Sequence, residues 1–234
     1  MKLSIIVPVF NEGPTILTVV DKIKSVSLGA DLVKEIIIVD DGSTDKTRDE
    51  LRQLHDPAIK IFLKDKNEGK GSALIKGFQE ATGDIVLVQD ADLEYNPAEY
   101  PKLLAPILDG RADVVFGSRF MGSEAKRVLF FWHYLGNRVL TAFSNILANL
   151  NLSDMETCYK VFRREVVDSF KDKLSAKRFG IEPELTARVA RGNWRIYEIG
   201  IAYDGRTYAE GKKVNWRDGL AALWHIIKFN LFSK

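Results

Sequence analysis

The sequence has one cysteine, three histidines and no long apolar run, and each scarcity removes a class of protein. A lone Cys158 excludes a disulfide framework and fits a reducing compartment. His55, His133 and His225 share no ligand spacing, so none is assigned to a metal. No run approaches the roughly 20 apolar residues that span a bilayer. Met1-Lys2 leads straight into a strand-like segment without a signal-peptide cleavage site, so the expected location is the cytoplasm. Two nucleotide fingerprints are missing as well. After the first strand, Asn11-Glu12-Gly13-Pro14 stands where a Gly-x-Gly-x-x-Gly turn would be. Gly69-Lys70-Gly71-Ser72 lacks the upstream glycine of a phosphate loop and inserts Gly71 between lysine and hydroxyl. These departures argue against a dehydrogenase and against a P-loop NTPase.

What is present is ordinary in amount and uneven in placement. The 234 residues are 46% apolar and 28% charged, typical of a soluble globular chain. That length holds one large α/β domain or two small ones. The net charge of +2 hides a split. Residues 1–110 carry 13 Lys/Arg against 19 Asp/Glu, and residues 111–234 carry 21 against 13. An acidic metal-binding half beside a basic half facing an anion would produce this, and so would a chance distribution over a solvated surface.

Apolar runs at 3–10, 35–39, 58–63 and 85–88 read as strands, and the segments 15–26, 46–54 and 69–81 between them read as helices. This βαβαβαβ alternation predicts an α/β fold with a mostly parallel sheet flanked by helices on both faces. Ligands of such sheets sit beyond the strand carboxyl ends. Three polar clusters fall there: Asn11-Glu12, Asp40-Asp41 and the run Asp90, Asp92, Glu94. In extended geometry residues two apart share a face, so the last three converge. Hard oxygen ligands in that position suit Mg²⁺ or Mn²⁺ bridging to substrate phosphates. A receiver-type signalling module also pairs acids at strand ends, but it is much shorter and leaves the basic half unexplained.

Beyond Pro97 the pattern predicts a Pro-interrupted helix to Leu108, a strand over 113–116 and a largely helical stretch over 128–150. A short helix over 163–170, a helix over 181–191, a strand over 194–203, a basic loop over 206–213 and a final amphipathic helix over 216–232 follow. No repeat or low-complexity linker interrupts the chain. It is therefore read as one domain with a nucleotide and metal half (1–110) and an acceptor half (111–234). The stretches around Phe130, Phe131, Trp132 and Tyr134, and around Trp216, Trp224, Phe229 and Phe232, mix aromatics with Lys126, Arg127, Arg217 and Lys228. Helices lying in a membrane interface have this composition, and a buried core helix pair is the alternative.

Eight blocks carry a family resemblance. PVFNE (8–12), IIIVDDGSTDKT (36–47), NEGKGSAL (67–74) and DADLEYNP (90–97) resemble family 2 glycosyltransferases of GT-A fold. GSRF (117–120), GNRVLT (136–141), SDMETCYKVF (153–162) and RTYAEGKKVNWRDG (206–219) narrow the likeness to polyprenol-phosphate sugar transferases, the group containing dolichol-phosphate mannose synthases. The resemblance implies inverting transfer of a hexose from a nucleotide sugar, of GDP-mannose or UDP-glucose type, to a polyprenyl phosphate. It implies Mg²⁺ or Mn²⁺ held by Asp90, Asp92 and Glu94, and a nucleotide held by Pro8, Asn11, Glu12, Asp40, Asp41, Lys70 and Asp90. Arg119, Arg138, Arg206 and Lys212 are the implied acceptor or phosphate-binding residues, and Asp92, Asp154 and Arg119 the implied catalytic ones. Asp154 is either a base, an orienting group or a helix cap after Ser153. Tyr159 and Lys160 are expected on the acceptor side. A peripheral position on the cytoplasmic face of a membrane suits a lipid acceptor, and nucleic acid is not an expected partner. A soluble or polysaccharide acceptor, and nucleotide-sugar binding without turnover, are the alternatives.

Overall fold

The computed structural model describes every residue except Ala30, Ser123, Glu124, Leu129, 212–215 and Lys234. Its first half follows the apolar pattern: β1 (Lys2–Val9), α1 (Ile16–Ser25), β2 (Val33–Asp40), α2 (Thr47–Leu51), β3 (Ile59–Leu63), α3 (Lys70–Glu80) and β4 (Ile85–Val88). Seven of the eight β1 residues and all four β4 residues are buried, as strands covered on both faces must be. The second half adds α4 (Tyr100–Leu108), β5 (Val114–Ser118), α5 (Phe131–Ala148), β6 (Lys160–Arg163), α6 (Arg164–Phe170), α7 (Ile181–Ala190), β7 (Ile196–Gly200) and α8 (Trp216–Ile227). The last helix widens to π geometry over Lys228–Phe232.

The seven strands form one sheet in the order β3-β2-β1-β4-β6-β5-β7. All pairings are parallel except those of β6, which runs antiparallel to both β4 and β5. This strand is absent from the sequence reading. It is four residues long, and it opens on a lysine that is fully buried. A charged residue at the head of so short a run masks the strand signal. By joining β4 to β5, β6 welds the two halves of the chain into one sheet.

Two local expectations change. The helix expected over 46–54 is one short turn, Thr47–Leu51. The run from Asp90 to Glu94 does not continue β4 in extended form. The strand stops at Val88, and Leu93 takes a left-handed conformation with φ 64°. The three acids are therefore gathered by a turn and not by the pleat of a strand.

The outermost layer is unusual. Only Thr141 and Ser144 of α5 are buried, while Phe131, Trp132, Val139 and Ile146 are each more than half exposed. The buried-helix-pair alternative holds for the inner face of the last helix, where Ala222, Ile226 and Phe229 are covered. It fails for α5 and for Leu220, Trp224, Leu231 and Phe232, which face outward. The side chains of Trp216 and Arg217 lie outside the described residues.

Candidate active site

A cavity of about 870 Å³ opens beyond the carboxyl ends of β1, β2 and β4, where a parallel sheet offers its ligand edge. Pro8, Glu12 and Asp41 line it from β1 and β2, and Asp90, Asp92 and Glu94 from the turn after β4. Arg119, Tyr203 and Arg206 from the second half of the chain also line it, as do Trp132 and His133 of α5.

The β2 acids have separate tasks. Asp41 accepts from the backbone N–H of Gly69 (2.6 Å) and of Glu68 (3.1 Å), and Lys64 bonds the same carboxylate. Gly69 has φ 104° and sits hard against the backbone of Lys177, so a side chain there would collide. The glycines of 69–71 thus serve close packing against 176–178, which is why they imitate a phosphate loop without being one. Asp40 is fully buried and turned away from the cavity, where Arg48 Nε donates to it at 2.7 Å. Asn11 does not line the cavity either. It takes the left-handed conformation at the end of β1, accepts from Thr44 N at 2.8 Å and so ties the β1 and β2 loops together.

The acidic turn carries more charge than its own cations neutralise. Lys70 Nζ lies 2.8 Å from Asp90 and 3.3 Å from Glu182. Burial works against that ammonium, yet the two carboxylates keep it charged. Arg206 reaches across from the chain beyond β7 and lies 3.0 Å from both Glu12 and Asp92. Burial also opposes its charge, and the bonds to Glu12 and the charges of Asp92 and Glu94 outweigh it. Glu94 accepts from Tyr203 OH and from Arg206 N, each at 2.8 Å. Asp92 nonetheless has its carboxyl pushed up to about 7, first by burial and then by the charges of Asp90 and Glu94. A carboxylate so reluctant to ionise marks a place where added positive charge is favourable.

Arg119 and Asp154 form a bidentate pair, Nε to Oδ2 and Nη2 to Oδ1, both at 2.7 Å. Asp154 also accepts from Arg119 N at 3.0 Å and is fully buried. Both carboxylate oxygens are thereby spoken for, and Ser153 and Asp154 donate their own N–H groups to Glu198. Asp154 is placed to fix Arg119 and not to cap a helix. The Arg119 guanidinium lies 5.2 Å from the Tyr203 ring centroid, which restrains its other face.

Several expected residues are not brought together. Arg138 stands on the exposed outside of α5 and is not in the cavity wall. Lys212 lies outside the described residues. Tyr159 and Lys160 sit behind the wall, both fully buried, with Tyr159 OH donating to Gln89 Oε1 at 2.8 Å and Lys160 bonding Glu182. Conversely, Glu156 and Glu182 line the cavity without having been singled out. Their acidic character was visible, but the topology that carries 153–162 and α7 to this edge depends on the unexpected β6. Cys158 is also at the wall, and burial pushes its thiol well up, so it packs and does not react.

A mostly parallel sheet flanked by helices, with an acid cluster and a buried guanidinium lining one cavity at its ligand edge, defines an α/β fold of the ligand-binding kind. The model of glycosyl transferase family 2 matches residues 4–170, and the chain belongs to that family. A dolichol-phosphate mannosyltransferase of Pyrococcus furiosus is 29% identical over 216 residues, covering 91% of this chain and 59% of that protein. An undecaprenyl-phosphate mannosyltransferase of Micrococcus luteus is 27% identical, covering 99% of both. The chain thus spans about three fifths of the first relative and the full length of the second. Among solved structures, glucosyl-3-phosphoglycerate synthase of Mycobacterium tuberculosis, in complex with Mn²⁺, UDP and glucosyl-3-phosphoglycerate, superposes with a TM-score of 0.71. At 21% identity, over 97% of this chain and 78% of that one, the match fixes the fold as GT-A.

Proposed function

We propose that the chain transfers a hexose from a nucleotide sugar to a polyprenyl phosphate with inversion, residues 1–110 holding donor and metal and residues 111–234 the acceptor. The observation that carries this reading is what one cavity brings together. An acid turn suited to a diphosphate-bound cation shares it with a fixed Arg119, and the apolar exposed face of α5 lies alongside. The names of the Pyrococcus and Micrococcus relatives support a polyprenyl phosphate acceptor.

The residues fit a divalent cation. Among the described residues no three His, Cys, Asp or Glu side chains form a ready-made metal cage. Mg²⁺ and Mn²⁺ sites of phosphate-handling enzymes use only one or two carboxylates plus substrate oxygens. Asp92 and Asp90, each held here by a single cation among the described residues, Arg206 and Lys70 respectively, would supply those ligands, while Glu94 accepts from both Tyr203 and the backbone of Arg206. When bound, the ion would act as a Lewis acid on the departing diphosphate.

The chain's own groups account for the remainder. Pro8, Glu12 and Asp41 form the wall that a nucleoside would meet. Lys70 and Arg206 reach the space a diphosphate would fill and add positive charge where charge develops. A phosphate monoester has a second pKa of about 6, so at neutral pH the acceptor is already a nucleophilic dianion. It needs a positioned cation more than a base, and Arg119, held by Asp154, supplies a planar fork of donors. Asp154 in this reading is a positioning residue.

Among the described residues no helix is long and apolar enough to cross a membrane. The outward Phe131, Trp132, Val139 and Trp224, with exposed Lys126 and Arg127 beside them, suit a peripheral seat on an anionic bilayer. The test is incubation with GDP-mannose or UDP-glucose, Mn²⁺ and a short polyprenyl phosphate. A glycosyl phospholipid product supports the reading. Donor binding with no transfer to any acceptor would favour a non-catalytic binding protein instead.

A further inference from the structure

One acid in the cavity has no role in the reaction as set out. Glu156 follows the Asp154 anchor by two residues and lines the cavity together with Glu182. Its Oε1 is shut off from bulk solvent and has no hydrogen-bond partner among the described residues. Neighbouring acids have cations or N–H donors close by: Asp154 is held by Arg119, Glu198 by the backbone of Ser153, and Glu182 by Lys160 through Oε2, while its Oε1, likewise without a hydrogen bond among the described residues, lies 3.3 Å from Lys70 Nζ. A buried acceptor without a donor is costly, and native folds keep one where a ligand completes it. The missing partner of the ionised carboxylate is a donor. A phosphate dianion has no proton to give and is repelled by ionised Glu156 and Glu182, which makes the diphosphate and the acceptor headgroup poorer partners than a neutral group. A sugar supplies hydroxyl donors around its whole rim.

We propose that Glu156 is a donor-sugar specificity residue, its carboxyl oxygen accepting a hydrogen bond from a hydroxyl of the hexose to be transferred. The assignment rests on the nucleotide-sugar reading above. Burial, and then the charge of Glu182, pushes the Glu156 carboxyl up to about 7 against the pull of Lys160 and Arg119. The group is thus poised to accept from, or when protonated donate to, a neutral polar ligand. Such a contact discriminates between sugars, because a donor lacking the matching hydroxyl leaves the oxygen orphaned again.

The experiment is calorimetric titration of the full chain in Mn²⁺ with GDP against GDP-mannose and with UDP against UDP-glucose. It is run on wild type, Glu156→Gln and Glu156→Ala. The wild type should bind the preferred sugar nucleotide more tightly than the bare diphosphate. Glu156→Ala should keep its diphosphate affinity within about twofold and lose the increment due to sugar, on the order of 10- to 100-fold. Glu156→Gln, which retains an acceptor oxygen, should recover part of it. A deoxy-sugar series should show the wild type penalising one missing hydroxyl and Glu156→Ala indifferent to it. An unchanged sugar increment in Glu156→Ala overturns the assignment and leaves the transferase reading standing. Parallel loss of diphosphate and sugar-nucleotide affinity makes Glu156 structural and also overturns it. A wild type that binds neither diphosphate nor sugar nucleotide overturns the assignment together with the reading beneath it.

Discussion

Replacing Arg119 by alanine isolates the bidentate ion pair that Arg119 makes with Asp154. The substitution removes two charge-assisted bonds of 2.7 Å and leaves Asp154, fully buried, with the single backbone bond from residue 119 among the described residues. Breaking one side of a buried pair costs about 3–5 kcal/mol, chiefly because a charge is stranded without its partner. The Arg119 side chain retains 12% exposure, and water entering from the cavity will solvate the stranded carboxylate in part, so the lower end applies. A loss of about 3 kcal/mol lowers the Tm of a chain this size by roughly 6–12 °C. Urea denaturation of wild type, Arg119→Ala and Arg119→Ala/Asp154→Asn measures the effect directly. Neutralising the stranded group in the double variant should restore about half of the loss. If Arg119→Ala loses less than about 1 kcal/mol, or the double variant recovers nothing, the pair does not anchor the wall as described.

Three further outcomes follow from the same geometry. Asp92→Ala should abolish transfer while leaving Tm within a few degrees, since its removal relieves crowding among carboxylates; full turnover in that variant, or in wild type with excess chelator, contradicts the metal assignment. Glu156 has a folded-state carboxyl pushed up to about 7 against an unfolded value of 4.5. Its contribution is therefore fully present below about pH 4.5 and is lost as pH rises through about 7, on the order of 3 kcal/mol. Glu156→Gln should flatten the fall of stability over that window, and an unchanged slope in denaturation at stepped pH would show that burial does not hold this carboxyl protonated. Flotation with anionic vesicles should carry the protein upward at low salt and release it as salt is added; no association at low salt would leave the exposed α5 face without a membrane role.

How much could be read from the chain alone follows from which signals are local. The buried runs of β1, β2 and β4 and the acids that follow them are contiguous in sequence, so the ligand edge and the presence of Glu12, Asp41 and Asp92 at it could be anticipated. The shape of the acid turn could not, because nothing in the order Asp-Ala-Asp-Leu-Glu announces the left-handed Leu93. The lining from the second half depended on contacts across long separations. Arg119 meets Asp154 over 35 residues and Arg206 meets Glu12 over 194, and both rest on how the second half folds back. The strand β6 that directs this return opens on buried Lys160, whose charge disguised it, and Glu156 just before it stayed hidden for the same reason. Composition gave the aromatic-basic helices but not their orientation, which packing of Ile226 and Phe229 against the body decides.

The central claim, hexose transfer to a lipid phosphate, is tested most directly by a single competition assay. Wild-type protein is given GDP-mannose or UDP-glucose and Mn²⁺, with a short polyprenyl phosphate and a free sugar alcohol present together, and products are resolved by mass over pH 5 to 8. The account predicts a glycosyl polyprenyl phosphate as the dominant product, formed less readily as pH drops through the acceptor's own pKa of about 6 and still formed at a reduced rate by Asp154→Asn. Glycosylation of the sugar alcohol with polyprenyl phosphate untouched, and a dead Asp154→Asn, would contradict it.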